Sequence, residues 1–448
     1  VKWLSYPKIV VTPPGPKAKK AVARDQRYIS PSFGRAYPLV VKEAKGCIVT
    51  DVDGNEYIDM NSGLAVMSVG HSHPKVLKAV HEQVDRFLSY SYTDFFYENY
   101  LDLGEQLHGI VPGNFEKKFF YGNSGAEANE AAIKLSRWHS KRQLILAYIS
   151  SFHGRTMGAV SLTASRPAQR RYFHPLVPGV EHIFYPYCYR CPFHLECPSC
   201  DYYCVDYIEE YLFSKFVPPE EVAMLIAEAV QGEGGYVVPP VGYFKKLKKL
   251  LDMYGILFAV DEVQSGMGRT GKWFAIEHFG VTPDIVTIAK AIAAGLPLGV
   301  MASRADLQDW TPGSHASTFG ANPVACAAAN AVIKAMKEEK MLDNANKQGA
   351  HIMKRLNEMK ESHPMVGDVR GLGLMCGLEL VKDKKSKIPA SQETEDVMMD
   401  CFRKGIAVVN CGKSVIRLMP PLAITQDLVD KSLDVLDASI GAMEKARK

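Results

Sequence analysis

GILFAVDEVQSGMGRTGKWFAIEHFGVTPDIVTIAKAIAAGLPLG, residues 255–299, holds two short apolar runs, each ending on a chemically active side chain. Ile256–Val260 follows a glycine and ends on Asp261, while Ile285–Ala289 follows Pro283-Asp284 and ends on Lys290. Apolar runs of this length, bounded by breakers, predict strands of a parallel sheet buried on both faces. Ligands of open α/β sheets bind beyond the carboxyl ends of such strands. The stretch therefore predicts an acid and an amine delivered to one rim of one sheet.

Working outward, Tyr243–Tyr254 places Phe244, Leu247, Leu250, Leu251 and Tyr254 on one helical stripe, with Gly255 as its stop. Met224–Ala227 predicts another buried strand, ending at Glu228, and Leu144–Ile149 a further one that runs into Phe152-His153-Gly154-Arg155. Repeated helix-then-strand order predicts an α/β fold with a large, mostly parallel sheet. Phe119–His139 reads as strand, small-residue turn and helix, His73–Leu107 as mainly helical with Val76, Val80 and Val84 on one face, and Ala325–Lys340 as a helix. From about residue 345 the pattern changes to glycine-punctuated strands (367–382 and 415–422) and a final helix, a smaller α+β domain. Residues 1–38, rich in Pro, Lys and Arg, predict an extended arm, and Gly46–Asn61 a hairpin around Asp53-Gly54. Its Asp-x-Asp-Gly lacks the other ligands of a calcium loop. The expected division is an arm and hairpin (1–70) packing with the small domain (345–448), and a large domain (71–344) carrying an insert at 182–217.

The chain has 448 residues, 47% hydrophobic and 23% charged, with a net charge of +4. That is ordinary globular composition with no nucleic-acid signature. The most basic run, Lys382–Lys387, reads as a solvated loop. No apolar run approaches membrane-spanning length and no signal-peptide block opens the sequence, so no membrane partner and a cytoplasmic location are expected.

Lys290 lies among alanines and Gly295. A desolvated amine there loses proton affinity and becomes a nucleophile toward carbonyls. Taken alone, Lys290 reads better as a lysine snorkelling from a strand end, and Asp261 as an ordinary strand-end carboxylate. Together they meet two requirements of pyridoxal 5′-phosphate, a lysine for its aldehyde and an acid for its ring nitrogen. Gly122-Asn123-Ser124-Gly125-Ala126, before an Ala/Glu-rich helix, offers a phosphate cradle, although a plain capped turn fits equally well. Phe152 could stack on the ring, or fill the core.

The chain resembles the class III (subgroup II) aminotransferases, which are fold-type I pyridoxal-phosphate enzymes. The resemblance rests on seven ordered motifs spanning most of the sequence: GNSGAEANEAAIKLSR (122–137), FHGRT (152–156), EAVQGEGG (228–235), DEVQSGMGRTGKWFA (261–275), AKAIAAGLPLG (289–299), STFGANPVACAAA (317–329) and IRLMPPL (416–422). It implies that Lys290 tethers the cofactor and shuttles the proton, and that Asp261 pairs with the pyridine nitrogen. It also implies that Ser124, Gly125 and Ala126 bind phosphate, that Phe152 and Val263 flank the ring, that Gln264 approaches the ring hydroxyl and that Glu228 is a nearby acid. Ala229 stands where the family usually has proline. Thr318 matches the residue reaching a neighbouring subunit's phosphate, implying a homodimer with shared sites and leaving a tetramer open.

For the small-molecule substrates, an amino acid and a 2-oxo acid, the resemblance implies four positions. Arg155 matches the arginine that grips the distal carboxylate of 4-aminobutyrate, Arg417 the one that binds the α-carboxylate of 2-oxoglutarate, and Glu233 its mobile neutralising partner. Leu64 stands where ornithine aminotransferases carry tyrosine. These residues are closest to the 4-aminobutyrate branch. An amino-acid racemase or epimerase, or an acetylornithine/ornithine-type aminotransferase, is the alternative.

Cys188-x-x-Cys191 and Cys197-x-x-Cys200, followed by Cys204, crowd into the insert. Their spacing resembles a metal knuckle, with disulfides or free thiols as competing readings. The other five cysteines are scattered and read as small buried hydrophobes.

Overall fold

A computed structural model of the chain describes residues 6–447. Residues 1–5 of the expected arm lie outside the described residues. The chain divides into two compact units.

The unit spanning Pro74–Leu342 is built on a seven-stranded sheet. Its order is Lys117–Gly122, Gly299–Arg304, Ile285–Ile288, Leu257–Asp261, Val222–Glu228, Leu144–Tyr148, Val180–Ile183. Only Gly299–Arg304 runs antiparallel to its neighbours. The central strands are largely apolar and buried, whereas Lys117–Gly122 and Val180–Ile183 at the sheet edges carry charged residues and are only partly buried. Val222–Glu228 is buried along its whole length, as is Ile285–Ile288. Helix Gly125–Ser140 packs its small residues Ala128, Ala131 and Ala132 into the same core as Ile145, Met224, Ala259 and Met301. Helix Tyr243–Tyr254 ends where Gly255 turns left-handed at φ 62°, a conformation that costs a residue without a Cβ little.

Register delivers the chemistry to one rim. Glu228 lies opposite Asp261 and Asp261 opposite Thr287 on adjacent parallel strands. Lys290 follows two residues after the last strand ends, opening a short 3-10 turn with φ 51°. Positive φ is uncommon outside glycine and strains the backbone, and such strain gathers at functional sites.

The other unit gathers the described residues up to His73 and those from Asp343 onward. It holds the expected hairpin, Ile48–Asp51 against Glu56–Asp59, and an antiparallel sheet of Val366–Leu372, Met375–Leu380, Val415–Leu418 and Val409–Cys411. The hairpin acids serve the backbone. Asp51 accepts from Asn55 and Tyr57, and Asp53 caps a helix by accepting from Lys17 N at 2.9 Å and Ala18 N at 2.8 Å.

That capped helix, Pro16–Tyr28, corrects the expectation of an extended arm. Its Ala, Lys and Arg residues are good helix formers, Pro16 sits at the tolerant first position, and its cap is supplied by a residue distant in sequence. Residues 73–107 are mainly helical as expected, in two helices, Pro74–Val84 and Glu98–His108, separated by a non-helical aromatic segment. Val76 is buried and Val84 exposed, so the proposed valine face is only partly a core face.

Candidate active site

Asp261 is 4% exposed and held from three sides. Its Oδ2 accepts from Asn129 Nδ2 and from His153 Nδ1, both at 2.8 Å, and its Oδ1 accepts from Val263 N at 3.0 Å. Asn129 lies one turn inside helix Gly125–Ser140. It also donates to the carbonyl of His153 at 2.7 Å and accepts from Thr287 Oγ1 at 2.8 Å. Donation from Nδ1 fixes the histidine tautomer. His153 Nε2 is buried without a hydrogen-bond partner. A buried carboxylate with charge-assisted donors on one oxygen is fixed in orientation, and its other oxygen, accepting one N–H, keeps acceptor capacity.

Sequence reasoning did not assign His153, Asn129 or Thr287. Two local signals were available: an asparagine is a poor helix former inside an alanine-rich helix, and Thr287 interrupts an apolar strand.

Ser124 caps helix Gly125–Ser140, its Oγ accepting from Glu127 N at 3.2 Å. The first-turn N–H groups of Gly125 and Ala126 have no intrahelical acceptor, so this end is suited to an anion. Glycines bring the surrounding chain close. A Cβ on Gly125 would lie 2.9 Å from Val263, one on Gly154 2.7 Å from the Ala126 Cβ, and one on Gly299 2.0 Å from the Ser124 carbonyl oxygen. Gly299→Ala is therefore expected to displace the turn, with a stability loss of about 3 kcal/mol from overpacking against backbone and weaker cofactor retention. Urea unfolding and a cofactor titration of the variant measure both.

Phe152 and Val263 are half-buried near this turn. Phe152 N donates to Glu228 Oε2 at 3.1 Å, and Gly232 N to Glu228 Oε1 at 3.0 Å. Burial pushes the Glu228 carboxyl up to about 7, and the Asp261 charge adds to this against the opposing pull of His153. The adjacent Glu262, also raised to about 7 by burial, accepts from Ile276 N at 2.8 Å and braces the 261–276 loop. Gln264 Oε1 is buried without a partner, and it borders Gly232, where a Cβ would meet it at 2.8 Å.

Arg155 is exposed, its guanidinium 5.5 Å from the centroid of the Phe152 ring. Glu233 lies 3.8 Å from Arg166, a pairing not anticipated from sequence. Thr318 is exposed beside Ser317, whose Oγ accepts from Asn123 Nδ2 at 3.2 Å. Ser124, Gly125, Ala126, Phe152, Glu228, Asp261, Val263 and Gln264 thus form one linked cluster. Leu64 and Arg417 belong to the other unit, Leu64 exposed at φ 66° and Arg417 buried in strand Val415–Leu418.

The residues fit pyridoxal phosphate on three local observations. The helix end offers N–H groups to a phosphate, Asp261 keeps acceptor capacity for a protonated ring nitrogen, and the orphaned Gln264 Oε1 can accept from a ring hydroxyl.

The expected metal set fares differently. Cys188, Cys191, Cys197 and Cys200 are all free thiols, and among the described residues no group of three or more His, Cys, Asp and Glu is arranged to hold a metal ion. The four cysteines line one small cavity together with aromatic and proline residues.

Comparison with known proteins agrees with this geometry. The family model "Aminotransferase class-III" matches residues 29–440. The leucine/methionine racemase of Thermococcus litoralis is 45% identical over 411 residues, 92% of each chain. The 4-aminobutyrate aminotransferase GabT of Escherichia coli is 36% identical over 423 residues, 93% of this chain and 97% of that one. The structure of a Pseudomonas jessenii ω-transaminase in complex with PMP superposes with a TM-score of 0.88 at 26% identity, covering 94% of this chain and 98% of that one. The chain belongs to the class-III aminotransferase family, and its cofactor is pyridoxal 5′-phosphate. Among the described residues, no helix is long and apolar enough to cross a membrane.

Proposed function

We propose that the protein is a transaminase moving the amino group of an ω-amino acid, 4-aminobutyrate in the first instance, to 2-oxoglutarate. The observation that carries this reading is Arg155, an exposed guanidinium held over Phe152 on the rim that also bears Asp261. An arginine fork binds a carboxylate bidentately, so Arg155 would hold the distal carboxylate while the amine points inward.

Pyridoxal phosphate held there would supply an aldehyde for the substrate amine and an electron sink for the pair left at the substrate carbon. Ser124, Gly125 and Ala126 anchor the phosphate. Asp261, itself held by His153 and Asn129, keeps the proton on the pyridine nitrogen. Phe152 and Val263 would flank the ring, Gln264 would accept from its hydroxyl, and Glu228 braces the backbone at Phe152 and Gly232. Lys290 would tether the cofactor at its aldehyde carbon and, once displaced by substrate, would take the proton from the substrate carbon and return it to that aldehyde carbon. By the resemblance, Arg417 would bind the α-carboxylate of 2-oxoglutarate, Glu233 would neutralise an unused arginine, and Leu64 would offer no polar partner to a second amino group.

A homodimer with Thr318 at a shared site, working in the cytoplasm, belongs to the same proposal. The homodimer is supported by a run of exposed apolar side chains, Phe87, Leu88, Tyr90, Phe95 and Phe96, tied to the Thr318 loop through Thr93–Ser317 and Leu88–Asn322. Exposed apolar groups gathered in one place mark an interaction face.

Racemisation is the second reading, favoured by the similarity to the Thermococcus litoralis racemase. It needs the same lysine and acid but no oxo acid. The holoenzyme should be incubated with 2-oxoglutarate and each of 4-aminobutyrate, acetylornithine, ornithine and L-leucine. Glutamate formed from 4-aminobutyrate, with KM raised at least about tenfold in Arg155→Met, is the expected result. Loss of optical rotation from L-leucine without any oxo acid assigns the protein to the racemases instead.

A further inference from the structure

The insert carries the densest group of reactive side chains that the proposed reaction does not use. Cys188, Cys191, Cys197, Cys200 and Cys204 all line one cavity of about 20 Å³, closed by Tyr187, Phe193, Tyr202 and Tyr203 among others. These five are accessible to different degrees, Cys188 exposed and the rest half-buried, whereas Cys47, Cys326, Cys376, Cys401 and Cys411 are buried. Within the cavity the thiol of Cys197 interacts with those of both Cys188 and Cys200.

The local chain explains the approach. Cys188 opens the 3-10 turn Cys188–Arg190. Cys197 and Cys200 share a second turn, closed by Cys200 N donating to the Glu196 carbonyl at 2.9 Å. Both turns are held on the large unit. Phe193 packs against Phe184, Tyr203 and Tyr207, and Lys246 donates to the Asp201 carbonyl at 2.6 Å and to Asp206 at 2.7 Å. The insert has little regular structure between residues 191 and 202, so a covalent bond between its turns would restrict its unfolded chain.

We propose that Cys188 and Cys197 form a reversible disulfide, made by exchange with a low-molecular-weight disulfide, and that this bond staples the insert. The balance is simple. The Cys197 thiolate attacks one sulfur of the reagent and releases the first half as a thiolate. The Cys188 thiolate then displaces the second half. The two thiol protons pass to the two released thiolates, and two electrons pass from the protein pair to the reagent. Burial, then the neighbouring thiols, push the Cys188 thiol up to about 11, and Cys197 is also raised, chiefly by burial. Exchange is therefore favoured on the alkaline side, because the thiolate is the attacking species.

The test uses the full-length holoenzyme and oxidised glutathione at about pH 9, where thiolate is more abundant. Remaining thiols are alkylated and the digest is mapped by mass spectrometry. The expected result is a single Cys188–Cys197 crosslink, with Tm raised by roughly 5 °C and returned to its starting value by dithiothreitol. Cys188→Ser and Cys197→Ser should each abolish the shift, while Cys200→Ser should retain it. A Cys197–Cys200 crosslink, glutathione adducts without a crosslink, or stoichiometric zinc that protects the reduced thiols would each overturn the proposal. Transaminase or racemase turnover has no bearing on this readout, so its failure and that of the functional reading are separable.

Discussion

Replacing Lys290 with alanine is expected to lower turnover on the order of 10⁴-fold or more and to change the visible absorption of the bound cofactor. The amine is asked both to form a covalent bond and to move a proton, and general acid–base catalysis alone contributes up to about 10⁴-fold. The stability effect should be small. Lys290 is only half-buried, and its φ of 51° is more strained for alanine than for glycine but no worse than for lysine. The absorbance spectrum of the purified variant separates the two roles from a folding defect. A variant that keeps both the native spectrum and full turnover would remove Lys290 from the site.

The second large effect is expected at Asp261. Asp261→Asn keeps the shape but loses the charge. Its carbonyl oxygen can still accept from Asn129 and His153, which turns its NH₂ toward Val263 N and toward the position of the ring nitrogen. Two donors then face each other where an acceptor stood, and one unsatisfied buried donor costs about 1–3 kcal/mol. The ring nitrogen also loses the group that keeps it protonated. A kcat loss on the order of 10³-fold is expected, in line with removal of a preorganised electrostatic partner. Cofactor binding should persist through the phosphate turn, so kcat measured on cofactor-saturated enzyme is the discriminating number. His153→Ala should reproduce part of this loss, because it removes one of the two donors on Oδ2.

Much of the parallel sheet was legible because its strands are continuous apolar runs with a breaker at each end. Helix Tyr243–Tyr254 matches its predicted limits, since an apolar stripe and a left-handed glycine mark both face and stop. Strand ends moved by one or two residues; Asp261 itself belongs to the strand, because backbone pairing does not depend on the polarity of the side chain. The site was legible only as separate motifs. Asp261 meets His153 and Asn129 from 108 and 132 positions away, and no local period encodes such a meeting. The Pro16–Tyr28 helix was missed for the same reason, its cap lying at Asp53. The thiol cluster was visible as spacing, but which sulfurs approach each other depends on two turns whose geometry the spacing does not specify.

The lone antiparallel strand of the large sheet has a consequence for how this protein can change over time. Val300 pairs with Tyr121 on one side and with Ile288 on the other. The strands leading to the phosphate turn and to Lys290 therefore leave the sheet side by side, two ladder spacings or about 10 Å apart. Backbone pairing sets that gauge, and no side chain contributes to it. Substitutions along Gly299–Arg304 can accumulate without altering the gauge, provided Gly299 stays small. A single-residue insertion there would move the anion cradle relative to the amine and flip the alternate faces of the strand. Length variation should consequently collect in loops such as 182–217, and the six residues of this strand should keep their number in any descendant that still uses the cofactor.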